Sequence, residues 1–214
     1  METKFTEQES LAVISQMIEQ ARNNFQKGSG NTMVYYGLLV AAIAILNAIL
    51  ILVFERININ YVRYSFWIWS LMIPGSFIGY LIRRKVIRES MVKTHIDSII
   101  RSTWNGYGFS VYIFLFVIFT IAFGKRFYEV LFLITPVMLI LTGIAEFITA
   151  KACRFKPYSY GAIIMWLGAI ICAIAVVLWI WEPTIIQFFI LAICMIFGFL
   201  IPGLKLNKLA KENV

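Results

Sequence analysis

Apolar residues run almost unbroken over six stretches of this chain, at about 33–54, 64–82, 106–124, 127–149, 158–181 and 184–203. A helix needs about 20 such residues to cross about 30 Å of hydrocarbon. The runs are continuous rather than alternating, and an open sheet cannot satisfy its backbone in lipid. The predicted fold class is therefore an all-α integral membrane protein, a six-transmembrane-helix bundle with an N-terminal amphipathic cytoplasmic helix. That helix and a Gly-Ser hinge occupy residues 1–32, the membrane domain residues 33–203, and a basic cytoplasmic tail residues 204–214.

The polar segments carry patterns of their own. Thr6 and Glu9 have the spacing of a capping box. Leu11, Ile14, Ile18, Ala21 and Phe25 then recur at steps of three and four, which makes one apolar stripe on a helix. Gly28, Ser29 and Gly30 are expected to end this helix and hinge it to the first span. The bland reading lays the stripe on the membrane surface or on the protein's own loops. The functional reading makes Leu11, Ile14, Ile18 and Phe25 a docking face for a partner or a second subunit. Further on, Lys85, Glu89, Lys93, Asp97 and Arg101 fall four residues apart with alternating sign, as in a solvated helical stripe of ion pairs. This predicts a cytoplasmic extension of the second span over 83–103, packed on the first helix. Asn105, Gly106 and Gly108 would then turn the chain into span three.

Composition narrows the class. The chain is 61% hydrophobic and only 14% charged. Soluble domains are about 45–50% apolar and about 25% charged. This excludes a secreted enzyme, a soluble nucleic-acid binder and a disordered tail, and it makes the lipid bilayer the first partner. The formal charge of +8 reads as basic residues collected on one side of a membrane, with no nucleic-acid partner. Fifteen of the 19 Lys and Arg fall in the N-terminal segment, the second and fourth loops and the C-terminus. By the positive-inside rule both termini are then cytoplasmic. Trp67, Trp69, Trp179 and Trp181 sit near the outer ends, where aromatic belts form. Residues 1–32 lack the apolar core and cleavage site of a signal peptide, so the first span is expected to remain as an anchor.

Chemistry is sparse. Cys153, Cys172 and Cys194 form no C-x-x-C pair and read as small core residues. His95 is the single histidine and no metal motif surrounds it. No phosphate loop, dinucleotide fingerprint or serine elbow is present. No enzyme activity, cofactor or metal is predicted. Glu146 is the deepest ionisable residue, about one turn from the end of span four. It could line a polar cavity or bind a cation, but pairing with Lys151 or Arg154 at that edge is the preferred reading. Asn47, Thr142 and Gln187 lie in mid-span, as do Thr120 and Thr135. They form either a substrate path, with Glu146, or ordinary interhelical hydrogen bonds. Pro136 is a candidate kink. The first and last hairpins share a Tyr-Gly start (Tyr36-Gly37, Tyr160-Gly161) and an Ile-Pro-Gly end (Ile73-Pro74-Gly75, Ile201-Pro202-Gly203). This leaves a parallel duplication and chance similarity both open.

Three segments carry a resemblance: Glu9-Ser10-Leu11-Ala12-Val13-Ile14-Ser15-Gln16-Met17-Ile18-Glu19, Arg154-Phe155-Lys156-Pro157 and Ile201-Pro202-Gly203. With them the chain resembles a family of uncharacterised bacterial six-helix inner-membrane proteins with an N-terminal cytoplasmic helix. The fourth-loop motif expected of that family is Lys-Phe-Lys-Pro, and the arginine here keeps the charge. The resemblance covers nearly the whole chain and implies no activity; it implies genes often placed beside small winged-helix regulators. The expected function is a non-enzymatic interaction or regulatory protein acting through its cytoplasmic helices, on a protein partner or as a homo-oligomer. The alternative is a small-molecule permease or channel-like carrier.

Overall fold

The computed structural model describes residues 7–89, 95–178 and 182–212. Every element among them is helical. Six stretches are long and apolar enough to cross a membrane: Gly30–Ile57, Ile59–Lys85, His95–Gly124, Tyr128–Cys153, Lys156–Val177 and Pro183–Leu209. They coincide with the six apolar runs of the sequence.

The first stretch belongs to α1 (Glu7–Ile57). The second begins with 3-10 turns at Ile59–Tyr61 and Phe66–Leu71 around the single turn α2 (Val62–Ser65), and continues as α3 (Met72–Glu89). The third is α4 (His95–Gly124). A 3-10 segment, Tyr128–Leu133, leads into α5 (Ile134–Cys153). After α6 (Lys156–Val177), the last stretch joins α7 (Pro183–Cys194), a π-helical turn (Met195–Leu200) and α8 (Ile201–Glu212).

The irregular segments share a cause. Pro74, Pro136 and Pro202 each stand two or three positions into a regular helix, and six irregular residues lie just upstream. Proline has no N–H, and its ring crowds the carbonyl four residues back. Those carbonyls belong to Ser70, Phe132 and Gly198, each inside an irregular segment. Pro136 therefore ends a 3-10 segment at the start of α5 and does not kink its middle.

Packing places the spans in the order α3, α1, α7–α8, α6, α5, α4 around the bundle. Small residues let the backbones approach. Ala41, Ala44 and Ala48 of α1 are buried, as are Ala162 and Ala169 of α6. At Gly30 a Cβ would stand 2.6 Å from the Gly203 carbonyl, and at Gly37 it would stand 3.0 Å from the Leu200 nitrogen. The last span is thus gripped by α1 on one side and by α6 on the other. Tyr35 donates to the Gly75 carbonyl (2.8 Å), which ties α1 to α3. α4 is the least covered, with Ile118 and Ala122 its buried residues.

Two expectations are corrected. Gly28, Ser29 and Gly30 do not end a helix; α1 runs through them without a break. Residues 90–94, in the middle of the expected 83–103 helix, lie outside the described residues. Lys85 and Glu89 lie on α3, whereas Asp97 and Arg101 lie on α4. Asn105, Gly106 and Gly108 do not turn the chain, because α4 continues through them. Lys93 and Thr6 lie outside the described residues, as do Trp179 and Trp181.

Candidate functional site

The sequence offers two groups of candidates, and the structure treats them differently. In the docking group, Leu11 is 63% exposed on α1, with Val13 beside it also exposed. The side chains of Ile14, Ile18 and Phe25 lie outside the described residues, although their backbone is helical. The stripe does not fold back at a hinge, since it shares one helix with the first span.

In the polar group, Asn47, Thr142, Glu146 and Gln187 are all buried but do not converge on one path. Asn47 binds the start of the second span. Its amide is oriented by the surrounding network: Nδ2 donates to the Ser65 hydroxyl and carbonyl (3.1 Å each), and Oδ1 accepts from Trp69 Nε1 (2.8 Å). Trp69 is accordingly an internal residue, its ring 5.8 Å from that of Phe188, and Trp67 is the exposed one of the pair. Gln187 Nε2 donates to the Phe132 carbonyl (3.0 Å). This is the carbonyl whose α-helical i+4 donor Pro136 removes, so α7 adds a side-chain amide at that point of the fourth span. The Thr142 hydroxyl donates to the Met138 carbonyl (2.7 Å) and lies 3.2 Å from the Tyr107 hydroxyl of α4. These three residues tie spans together.

Glu146 is different. It lies on the face of α5 that also carries Thr135, Leu139, Thr142 and Thr149, at steps of three and four, and all five are buried. It is 0% exposed. Both carboxyl oxygens, and the hydroxyl of Tyr158 on α6, lack a hydrogen-bond partner. The expected edge pairing does not occur. Lys151 is exposed, with Nζ 5.0 Å from the centre of the Phe147 ring. Arg154 is exposed and ends α5 in the left-handed conformation (φ 52°, ψ 37°). The i+5 spacing puts Lys151 off the Glu146 face, and Arg154 lies beyond the helix end, two turns along the axis.

Gly161 lets this carboxyl in. A Cβ there would collide with Glu146 Oε1 and with the Gly198 carbonyl of the π-helical turn. Carboxyl and carbonyl oxygens therefore converge on one glycine Cα, with contacts of the weak Cα–H type. Pro202 denies the Gly198 carbonyl the hydrogen bond that residue i+4 would give it. Tyr158, Gly161, Gly198 and Pro202 were absent from the sequence-based candidates. The signal for them was the step of three and four in polar residues along α5, which marks its protein-facing side.

Leaving a buried polar group unsatisfied costs about 1–3 kcal/mol, and more for a charged one. Glu146→Met, an unbranched replacement of similar length, is thus expected to unfold at a higher temperature than the wild type in detergent with choline as the cation. A lower unfolding temperature would show that the carboxyl has a stabilising partner.

The remaining chemistry is dispersed. Among the described residues no three His, Cys, Asp or Glu side chains gather as a metal site. His95 is exposed at the start of α4. The three cysteines are free thiols; Cys172 and Cys194 are buried, and Cys153 is half-buried at the end of α5. No family model, curated protein or solved structure matches the chain.

Proposed function

We propose that this chain is a non-enzymatic interaction or regulatory protein of the bacterial inner membrane, with both termini in the cytoplasm and the N-terminal part of α1 as its docking element. The observation that carries this reading is the continuity of α1. Its span begins near Gly30, where it packs on Gly203. Residues 7–29 continue the same helix for roughly 35 Å at 1.5 Å per residue. A helix continuous with a span is carried out of the bilayer rather than laid along its surface. Its apolar stripe, of which Leu11 is the described exposed member, is then available to a protein partner or a second copy. The distribution of Lys and Arg supports the orientation. The three resembling segments support the family assignment and, with it, the bacterial setting.

The test compares the full chain with one lacking residues 1–27 in mild detergent, by pull-down and by light scattering. The expected result is a defined complex, with itself or with another protein, that is lost on truncation. Equal behaviour of the two forms would remove the docking role. A second reading, a small-molecule permease or channel-like carrier, is favoured by one observation: a fully buried intramembrane carboxyl is a functional-site hypothesis by default. Flux into liposomes that Glu146→Gln abolishes would carry it.

A further inference from the structure

We propose that Glu146, Tyr158 and the Gly198 carbonyl form a binding site for one small monovalent cation, a proton or an alkali metal ion, where α5, α6 and the π-helical turn meet. Among the described residues, the buried side-chain polar atoms without a hydrogen-bond partner are the two Glu146 oxygens and the Tyr158 hydroxyl. They occur together. Glu146 and Tyr158 are close enough to influence each other electrostatically. Glu146 Oε1 and the Gly198 carbonyl meet at the Cα of Gly161.

The donor set fixes the class of ligand. Carboxyl, carbonyl and hydroxyl oxygens are hard ligands, suited to a proton or a hard metal ion. One carboxylate balances one positive charge. A divalent ion here would leave a buried net charge, which costs several kcal/mol even after relaxation. The next carboxylate, Asp97 of α4, acts on Cys153 at the end of α5, and the described residues gather no group of three acidic, His or Cys side chains.

The Gly198 carbonyl keeps acceptor capacity, because a carbonyl oxygen has two lone pairs and its i+4 donor is missing. Pro136 and Pro202 each remove the α-helical donor of the carbonyl four residues back. Gln187 replaces the donor at Phe132. At Gly198 the Cα–H of Gly161 lies against the carbonyl oxygen as a weak partner. Carbonyls released by an interrupted span are the usual ion ligands of membrane carriers.

The surroundings contribute no competing cation. Facing the site are Tyr158 of α6 and Cys153 at the end of α5, with Tyr107 of α4 one turn away through Thr142 and Asp97 of α4 beside Cys153. α7 and the π-helical turn contain no Lys, Arg, Asp or Glu. Lys151 and Arg154 are exposed, as described above. The charge that settles Glu146 therefore comes from a small ion entering the bundle. This inference does not depend on the docking role of α1.

The experiment follows thermal unfolding of the full chain in detergent. Sodium, lithium and potassium chlorides are compared with choline chloride at constant ionic strength, and pH is varied separately in choline. The expected result is an unfolding temperature that rises saturably with one cation and ceases to do so in Glu146→Gln. Tyr158→Phe is expected to raise the half-saturating concentration about tenfold, the loss of one hydrogen bond to a charged group. A response to alkali ions at fixed pH identifies a metal ion; a Glu146-dependent response to pH alone identifies a proton. A response shared equally by wild type and Glu146→Gln, or absent from both, overturns the site. If Glu146→Gln does not fold, labelling of the wild type with a hydrophobic carbodiimide decides. Modification of Glu146 that slows with added sodium or lithium, or with rising pH, supports the proposal. Absence of modification at Glu146, or modification unaffected by any of these, overturns it. Binding is read here without flux, so a bound but untransported ion removes the permease reading alone.

Discussion

Adding one methyl group at Gly161 is expected to separate the last two spans. A Cβ at this position meets the Gly198 carbonyl, which is backbone, and Glu146 Oε1, whose side chain is fully buried. Neither can retreat cheaply. The helices must move apart, and the small-residue contact that substitutes for a hydrophobic driving force inside a membrane is lost. Overpacking in a close-packed interior costs typically about 1–3 kcal/mol, occasionally more. Gly161→Ala should lie at or above the upper end, because the obstruction is main chain. Gly106→Ala and Gly108→Ala provide the control. No atom lies within 4 Å of a Cβ built at either position, and alanine is worth about 1 kcal/mol more than glycine inside a helix. Those two variants should unfold at or above the wild-type temperature, and Gly161→Ala well below it. Equal behaviour of the three would mean that α6 and the π-helical turn do not touch at Gly161.

Asn47→Leu is the second large effect expected. The wild-type amide takes up the Ser65 hydroxyl and carbonyl and the Trp69 indole N–H. Ser65 keeps one bond, from its hydroxyl to the Val62 carbonyl at 2.7 Å. Trp69 Nε1 and the Ser65 carbonyl lose their partner in a place from which water is excluded. Stranding buried donors and acceptors costs about 1–3 kcal/mol per group, so a total of about 3 kcal/mol is expected. The loss should appear as a lower unfolding temperature and as altered fluorescence of Trp69, whose indole is no longer held. Asn47→Asp keeps the acceptor for Trp69 but not the donors, and should lie between the two. A Leu variant as stable as the wild type would show that the amide tie contributes nothing.

The spans were legible because hydrocarbon thickness imposes a length that 20 apolar residues announce directly. What occupies the space between spans was harder to read. The charges from Lys85 to Arg101 keep one helical period, yet Lys85 and Glu89 fall on α3 and Asp97 and Arg101 on α4. Gly28, Ser29 and Gly30 have breaker composition, yet Gly30 serves the approach of Gly203 instead. Glu146 was found from its type and depth, but its partners were misjudged. Distance along the chain to Lys151 and Arg154 stood in for distance in space: Lys151 lies elsewhere around the axis, and Arg154 lies past the helix end. Asn47, Thr142 and Gln187 were recognised as mid-span polar residues. Only the fold shows that each closes a different interhelical bond, so they do not form a common path. Tyr158 escaped notice because a tyrosine near a helix start is ordinary at a membrane boundary.

The π-helical turn also sets a phase. A turn closed by i→i+5 bonds holds one residue more than an α-helical turn, and each residue advances a helix by about 100°. Gln187 before Met195–Leu200 and Gly203 after it thus face directions that an uninterrupted α-helix of the same sequence would not give them. The wide turn works as a built-in offset. It aims the first half of the last span at Phe132 and the second half at Gly30. Removing a single residue from 195–200 would cancel the offset, and the span could then match one of its neighbours or the other, but not both.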